Sequence, residues 1–98
     1  MLNKLRNFHF IGIGGAGMSA IAHVLIKRGY NVSGSDLNAG RVSARLANEG
    51  AMVFIGHDAC QVKDADAEAV VVSTAIKADN PEVVAAKEQN IPVLHRSD

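Results

Sequence analysis

The sequence has no tryptophan, a single cysteine and no excess of charge of either sign. Ten Lys and Arg balance ten Asp and Glu, and aromatic residues make up only 4% of the chain. The composition therefore offers neither a basic surface for phosphate backbones nor aromatic platforms for stacked bases, which argues against a nucleic-acid partner. The lone Cys60 cannot form an internal disulfide, and a single thiol fits a reducing compartment.

The N-terminal part of the chain superficially resembles an export signal. Residues 7–26 contain no Asp, Glu, Lys or Arg and follow a short basic start. Four glycines interrupt this run, and each costs about 1 kcal/mol in a helix. The run also changes from a strand period to a helical one near Met18. We therefore predict neither a signal peptide nor a membrane span, and we expect a cytoplasmic protein.

Strand and helix patterns alternate along all 98 residues, which we predict to form one domain. The predicted strands are 8–13, 31–36, 52–55, 69–72 and 91–94, and the predicted helices begin near Met18, Arg41 and Pro81. The polar segment 58–68 predicts a loop with at most one helical turn. This order predicts a Rossmann-like α/β fold, an open parallel sheet of about five strands with helices on both faces.

A glycine-rich loop follows the first predicted strand. Gly12-Ile13-Gly14-Gly15-Ala16-Gly17 matches G-x-G-x-x-G between a strand and a helix, where its glycines allow a tight turn and close approach of a phosphate. Ser19 can add a hydroxyl donor. Asp36 ends the second strand about 20 residues further on, where an acid accepts hydrogen bonds from a nucleoside. These residues predict a site for a nucleoside diphosphate or a dinucleotide.

Other polar residues follow the carboxyl ends of predicted strands, where ligands of open α/β sheets bind. His57 fits a ligand contact and an ordinary loop residue equally well, and Ser73 and Thr74 fit a site or a turn. The remaining histidines, which we interpret as structural or solvated, are His9, His23 and His95. We find no metal-ligand spacing and no nucleophile–base pair, so we predict no metal site and no catalytic residue in this sequence.

Three interpretations stay open on these features. The glycines and the acid fit a nucleoside diphosphate site and the NAD-binding domain of an oxidoreductase about equally. The third is an interaction module that keeps the scaffold and binds no nucleotide.

A more specific signal comes from the segment HFIGIGGAGMS at residues 9–19, together with Ser33-Gly34-Ser35-Asp36. These residues resemble the start of the Mur ligase family, in particular of its members that add L-alanine to UDP-N-acetylmuramate in peptidoglycan synthesis. The resemblance continues through 56–57, 71–76, 79–82 and 91–96, and so spans nearly the whole chain. Ala20 departs from the glycine expected in many relatives, which puts little in doubt because alanine suits a helix.

The resemblance implies a three-domain enzyme that uses ATP, through an acyl phosphate, to form the amide bond. In such enzymes the N-terminal domain holds the UDP part of the substrate, and a following domain holds ATP and Mg²⁺. The sequence contains no G-x-x-x-x-G-K-[ST] loop. We therefore expect the ATP, Mg²⁺ and L-alanine sites in central and C-terminal domains outside these residues, no cofactor on this chain, and no ligase activity from it alone.

Carried over by position, the resemblance implies a UDP site along the glycine loop and the ends of the next strands. Its expected residues are Gly14, Gly15, Ala16, Gly17, Met18, Ser19, Ser35, Asp36, His57, Ser73, Thr74 and Ala75. The diphosphate is expected at residues 14–19, the ribose or uracil at Ser35 and Asp36, and the uridine or sugar beside His57 and residues 73–75.

Overall fold

The structure is a computed structural model that describes residues 6–37, 40–73 and 76–95. Within these ranges five strands alternate with four helices. Their bounds are β1 Asn7–Ile11, α1 Ala16–Lys27, β2 Asn31–Asp36, α2 Arg41–Glu49, β3 Met52–Ile55, α3 Cys60–Asp64, β4 Ala69–Val72, α4 Pro81–Glu88 and β5 Val93–His95. None of the helices in this part of the chain combines the length and the hydropathy of a membrane span.

The five strands form one parallel sheet in the order β3-β2-β1-β4-β5. The chain moves from β1 outward to β3 and then crosses back to place β4 on the other side of β1. The strand order therefore reverses between β1 and β4, and ligands of open α/β sheets bind outside such a reversal. This architecture confirms the predicted Rossmann-like fold.

Most predicted bounds agree with the structure, and the differences have local causes. β1 ends at Ile11, earlier than predicted, because Gly12 leaves the strand with a φ of +82°. α1 starts at Ala16, ahead of the apolar periodicity. β5 starts at Val93, since Pro92 has no N–H to contribute to a ladder.

Two hydrophobic cores lie on opposite faces of the sheet. Phe8 and Phe10 of β1 pack with α1 and α2 in the first core, while Ile11 packs with α3 and α4 in the second. All of β4 is buried, although β1 and not β4 is the middle strand. The alternation along β1 also sends His9 to the face of the second core.

The helix α4 starts at Pro81, as predicted, and is capped by Asn80. The Asn80 side-chain oxygen accepts a hydrogen bond from the Glu82 N–H at 2.9 Å, and Pro81 occupies the first helical position. An acid in this first turn is favoured by the helix dipole. These interactions fix the Glu82 side chain at the start of a helix that packs on the second core.

Candidate functional site

The glycine loop connects β1 to α1 at the point where the strand order reverses. The N–H groups of Gly12 and Ile13 both donate to the Ser35 carbonyl oxygen, at 2.7 and 2.9 Å, and the Gly15 N–H donates to the Gly12 carbonyl at 3.0 Å. The first hydrogen bond at the start of α1 runs from the Ser19 N–H to the Gly15 carbonyl at 2.8 Å. The N–H groups of residues 16–18 precede it and are those that a helix start offers to an anion.

Asp36 lies directly against this loop. Its Oδ2 accepts a hydrogen bond from the Gly14 N–H at 2.7 Å, and its backbone carbonyl accepts one from the Gly56 N–H at 2.6 Å. A Cβ on Gly14 would lie 2.6 Å from the same Oδ2. The second glycine of the motif is therefore required for the approach of Asp36, in addition to any approach of a phosphate.

Ile13 anchors the loop to the sheet. Its side chain is fully buried in the first core, and a Cβ built on Gly34 would lie 2.6 Å from the Cβ of Ile13 and 2.8 Å from the Phe10 carbonyl oxygen. Because Gly34 has no side chain, the Ile13 side chain can pack directly against β2.

His57 follows β3 at the same edge of the sheet. Its Nδ1 lies 2.8 Å from the Ser35 hydroxyl and 2.8 Å from Glu82 Oε2. The His57 side chain keeps 12% of its surface exposed, whereas Glu82 is fully buried. Ser35 therefore connects two predicted site elements, since its carbonyl holds the glycine loop and its hydroxyl contacts His57.

Glu82 also contacts the middle strand. Its Oε1 lies 2.5 Å from Nε2 of His9, and Nδ1 of His9 lies 2.8 Å from the Ser33 hydroxyl. His9 is fully buried as well. We refer to these residues as the Glu82 cluster, which comprises His9, Ser33, Ser35, His57 and Glu82.

The electrostatics of the Glu82 cluster favour an ionised carboxylate. Burial raises the pKa of Glu82, but hydrogen bonds from His9, Ser35 and His57 and the charge of His9 outweigh burial and hold that pKa below its usual range. An ionised carboxylate only accepts hydrogen bonds, so the imidazoles and the Ser35 hydroxyl are its donors. No three His, Cys, Asp or Glu side chains in the described ranges are placed to hold a metal ion.

The Glu82 cluster was not predicted from the sequence. His9 is buried and hydrogen-bonded, so of the two alternatives predicted for it, structural or solvated, the structure agrees with the first. The available signal was a polar residue inside an apolar strand, with Ser33 and Ser35 at alternate positions of the neighbouring strand. The register pairs His9 with Ser33, but no sequence pattern indicated that Glu82 reaches them.

The structure brings several predicted site residues together at one edge of the sheet, and these are Gly14, Gly15, Ser35, Asp36 and His57. Ser73 directly follows β4, on the other side of the strand reversal. The Met18 side chain is buried in the first core, so only the backbone N–H of this residue can contact an anion. Thr74 and Ala75 lie outside the described residues.

The remaining candidates lie elsewhere. His23 contacts Glu49 Oε1 at 2.7 Å and joins α1 to α2. Cys60 is exposed at the start of α3. A depression of about 330 Å³ lies at the amino ends of β1 and β2, at the sheet edge opposite the glycine loop, and its lining includes Asn7, Asn31 and Tyr30.

Comparison with known proteins gives consistent matches. Residues 7–98 match the family model described as Mur ligase family, catalytic domain. The UDP-N-acetylmuramate–L-alanine ligase of Burkholderia vietnamiensis is 54% identical over 97 residues, which are 99% of this chain and 20% of that protein. The chain thus spans about a fifth of the length of this curated relative.

Two solved structures share the fold. The UDP-N-acetylmuramate-alanine ligase of Thermotoga maritima aligns with a TM-score of 0.83 at 36% identity, over 92% of this chain and 20% of the other. The UDP-N-acetylmuramate:L-alanyl-gamma-D-glutamyl-meso-diaminopimelate ligase of Neisseria meningitides aligns with a TM-score of 0.84 at 29% identity, over 93% of this chain and 28% of the other. The backbone fold is therefore equally similar to both ligases, while the sequence is more similar to the first.

Proposed function

Because the chain belongs to the Mur ligase family, we propose that it is the UDP-binding part of a ligase that joins L-alanine to UDP-N-acetylmuramate. The choice of L-alanine, and not a peptide, as the group that is added is supported by the higher identity to the alanine-adding relatives, 54% and 36% against 29% for the peptide-adding one. The family assignment also favours this interpretation over the NAD-binding domain of an oxidoreductase. A product of such a ligase would enter peptidoglycan synthesis in the cytoplasm, and so serve the cell wall.

The observation that carries the proposal is the position of the glycine loop at the reversal of the strand order. The N–H groups at the start of α1 and the positive end of its dipole would bind the diphosphate. Gly14 and Gly15 present no Cβ on this surface, and Asp36 stands beside them. A carboxylate at the end of the second strand would then accept hydrogen bonds from the ribose or the uracil.

The rest of the proposed reaction needs residues that this sequence does not contain. ATP and Mg²⁺ would supply the activated acyl phosphate, and the sequence has no lysine-containing phosphate loop to hold them. We therefore propose that this chain contributes substrate binding and no ligase chemistry of its own. Formation of the alanylated product from ATP by these 98 residues alone would contradict this.

A two-dimensional amide NMR titration tests the binding proposal, with UDP-N-acetylmuramate as ligand and NAD as the competing one. We expect the UDP-sugar to shift the amide signals of residues 14–19 and those around Asp36. Shifts with NAD alone would instead support the oxidoreductase interpretation. An unchanged spectrum with both ligands would contradict a nucleotide site in this chain.

Removing the Asp36 carboxylate is expected to weaken UDP binding. Asp36→Ala should weaken the binding free energy by about 1–3 kcal/mol, the usual effect of losing a charge-assisted hydrogen bond, and calorimetry with UDP measures it.

Asp36→Asn is the matched control, because its amide oxygen can still accept a hydrogen bond from the Gly14 N–H. Equal losses in both variants would indicate a direct contact of the charge with the nucleoside, and recovery in Asp36→Asn would indicate that Asp36 acts by holding the loop. Unchanged affinity in both would remove Asp36 from the site.

A further inference from the structure

The Glu82 cluster connects the candidate nucleotide site to the buried interior. His57 reaches the glycine loop through one residue, because Ser35 holds the loop with its carbonyl and contacts His57 with its hydroxyl. On its inner side, His57 Nδ1 lies 2.8 Å from the Glu82 carboxylate. A buried carboxylate cannot bind an anionic diphosphate, so the contact between Glu82 and His57 must have another role.

The donors and acceptors of the Glu82 cluster determine which nitrogen of a neutral His57 carries the proton. The Glu82 carboxylate can only accept, so the neutral imidazole must place its proton on Nδ1. Nε2 then carries a lone pair. No hydrogen-bonding group in the described part of the chain contacts Nε2, and the ring keeps 12% of its surface exposed.

The carboxylate that orients His57 is itself held in place. His9 of the middle strand contacts the other oxygen, Oε1, at 2.5 Å, and both residues are fully buried. The backbone of Glu82 is fixed by the Asn80 cap at the start of α4. A carboxylate bound from both sides in this way leaves His57 Nδ1 one orientation at the sheet edge.

We propose that Glu82 is a positioning residue of the UDP site, which fixes His57 with Nδ1 inward and leaves Nε2 as a hydrogen-bond acceptor for the ligand. An acceptor pairs with an O–H or N–H group, such as a hydroxyl of the ribose or the sugar or the imide N–H of uracil. The oxygens of an ionised diphosphate carry no such hydrogen. His57 thus recognises the nucleoside or the sugar, while the glycine loop binds the diphosphate. This inference rests on the proposed function.

The protonation pattern can be measured without any substitution. Long-range ¹H–¹⁵N correlation spectra of the imidazole rings distinguish Nδ1–H from Nε2–H in neutral histidine. We expect His57 in its neutral form to carry the proton on Nδ1, and we expect UDP-N-acetylmuramate to shift the Nε2 signal. A neutral ring with its proton on Nε2, or an Nε2 signal that bound UDP-sugar leaves unmoved, would overturn the inference.

Two His57 variants separate the inner nitrogen from the outer one. The amide of His57→Asn lies near the position of Nδ1, so it keeps a donor for Glu82 but loses the outer acceptor. The amide of His57→Gln reaches the position of Nε2. We expect His57→Asn to bind UDP-N-acetylmuramate about tenfold more weakly, a loss typical of one hydrogen bond, and His57→Gln to recover part of that affinity. Full affinity in His57→Asn would overturn the inference.

A double-mutant cycle tests whether Glu82 acts through His57. Glu82→Gln keeps the shape of the side chain and should weaken binding about tenfold, as expected for a lost hydrogen bond. Combined with His57→Asn it should weaken binding no further than either change alone. Losses that multiply, or a Glu82→Gln chain that binds normally, would overturn the positioning role. Glu49→Gln is the matched control, since Glu49 also pairs with a histidine, His23, but on the α1–α2 surface.

These experiments distinguish a failure of the positioning role from a failure of the proposed function. If the unsubstituted chain binds neither UDP-N-acetylmuramate nor UDP, the proposed function fails and the positioning role fails with it. If the unsubstituted chain binds and the cycle shows no coupling, only the positioning role fails. If Glu82→Gln does not fold, the ring spectra of the unsubstituted chain and the two His57 variants decide.

Discussion

Replacing Glu82 with alanine is expected to lower the free energy of unfolding by about 3–5 kcal/mol, the typical loss when one partner of a buried charged pair is removed. His9 would stay fully buried with Nε2 facing the space that the carboxylate leaves, and His57 would lose its inner partner. Small domains have about 5–15 kcal/mol of stability in total. Urea or thermal unfolding followed by circular dichroism measures the change.

Glu49→Ala is the matched control for this prediction. Glu49 also contacts a histidine, at 2.7 Å, but its side chain and that of His23 are partly exposed. Exposed pairs of this kind contribute little, so Glu49→Ala should change the unfolding curve much less. Equal effects of the two substitutions would contradict the assignment of a special role to burial at Glu82.

The pH dependence of unfolding gives a second control. The pKa of Glu82 in the folded chain lies below its usual range, despite burial, because hydrogen bonds from His9, Ser35 and His57 outweigh it. Its contribution to stability is therefore complete above the unfolded carboxyl pKa, about 4.3, and is lost as pH falls through the lower pKa of the folded state. Between about pH 5 and 3, the free energy of unfolding of Glu82→Gln should therefore fall less than that of the unsubstituted chain. The acid sensitivity that remains should come from carboxylates such as Glu49, Asp58 and Glu68, whose pKa values are lowered as well.

Gly34→Ala is expected to destabilise the chain by about 3 kcal/mol, at the upper end of the usual range for overpacking. The new Cβ would lie 2.6 Å from the Cβ of Ile13 and 2.8 Å from the carbonyl oxygen of Phe10. The second contact is with the backbone of the middle strand, so a change of side-chain rotamer cannot relieve it. Because Ile13 belongs to the glycine loop, we also expect weaker UDP binding in whatever fraction still folds.

Gly40→Ala tests whether the lack of space causes this effect. Nothing lies within 4 Å of a Cβ at Gly40, and its φ of −149° is open to any residue. The control should change stability by less than about 1 kcal/mol, since a lost N-cap preference and a less flexible unfolded chain act in opposite directions. A Gly34→Ala chain as stable as Gly40→Ala would contradict the packing argument.

The sequence predicted the order of elements and many of their bounds, because the local signals agree with the fold. Gly50 ends α2 with a φ of +119°, and Asn80-Pro81 starts α4. The apolar β4 is buried on both faces. Each of these signals acts over a few neighbouring residues, so it can be interpreted without knowledge of the rest of the chain.

Contacts between distant residues could not be predicted in this way. Gly34 is small because Ile13 packs there, and Ser35 is small and polar because it lies between the glycine loop and His57. Glu82 fitted its place as an acid in a first helical turn, and that local explanation concealed its contact with His9, which lies 73 positions away in sequence. Periodicity indicates which face a residue occupies, whereas only the packed structure shows which partner it meets there.

The hydrogen bond from the Gly14 N–H to Asp36 has a consequence for ligand affinity. The carboxylate stands where a phosphate oxygen would lie in the proposed complex, because it accepts the hydrogen bond of an N–H group that a bound diphosphate would use. Binding at that N–H would exchange one anionic acceptor for another and so gain little. In the proposed complex the loop would need little ordering on binding, since the carboxylate already holds it in shape. A carboxylate displaced by the diphosphate would then lie beside the nucleoside, where it could accept a hydrogen bond from one of the nucleoside's hydroxyl groups.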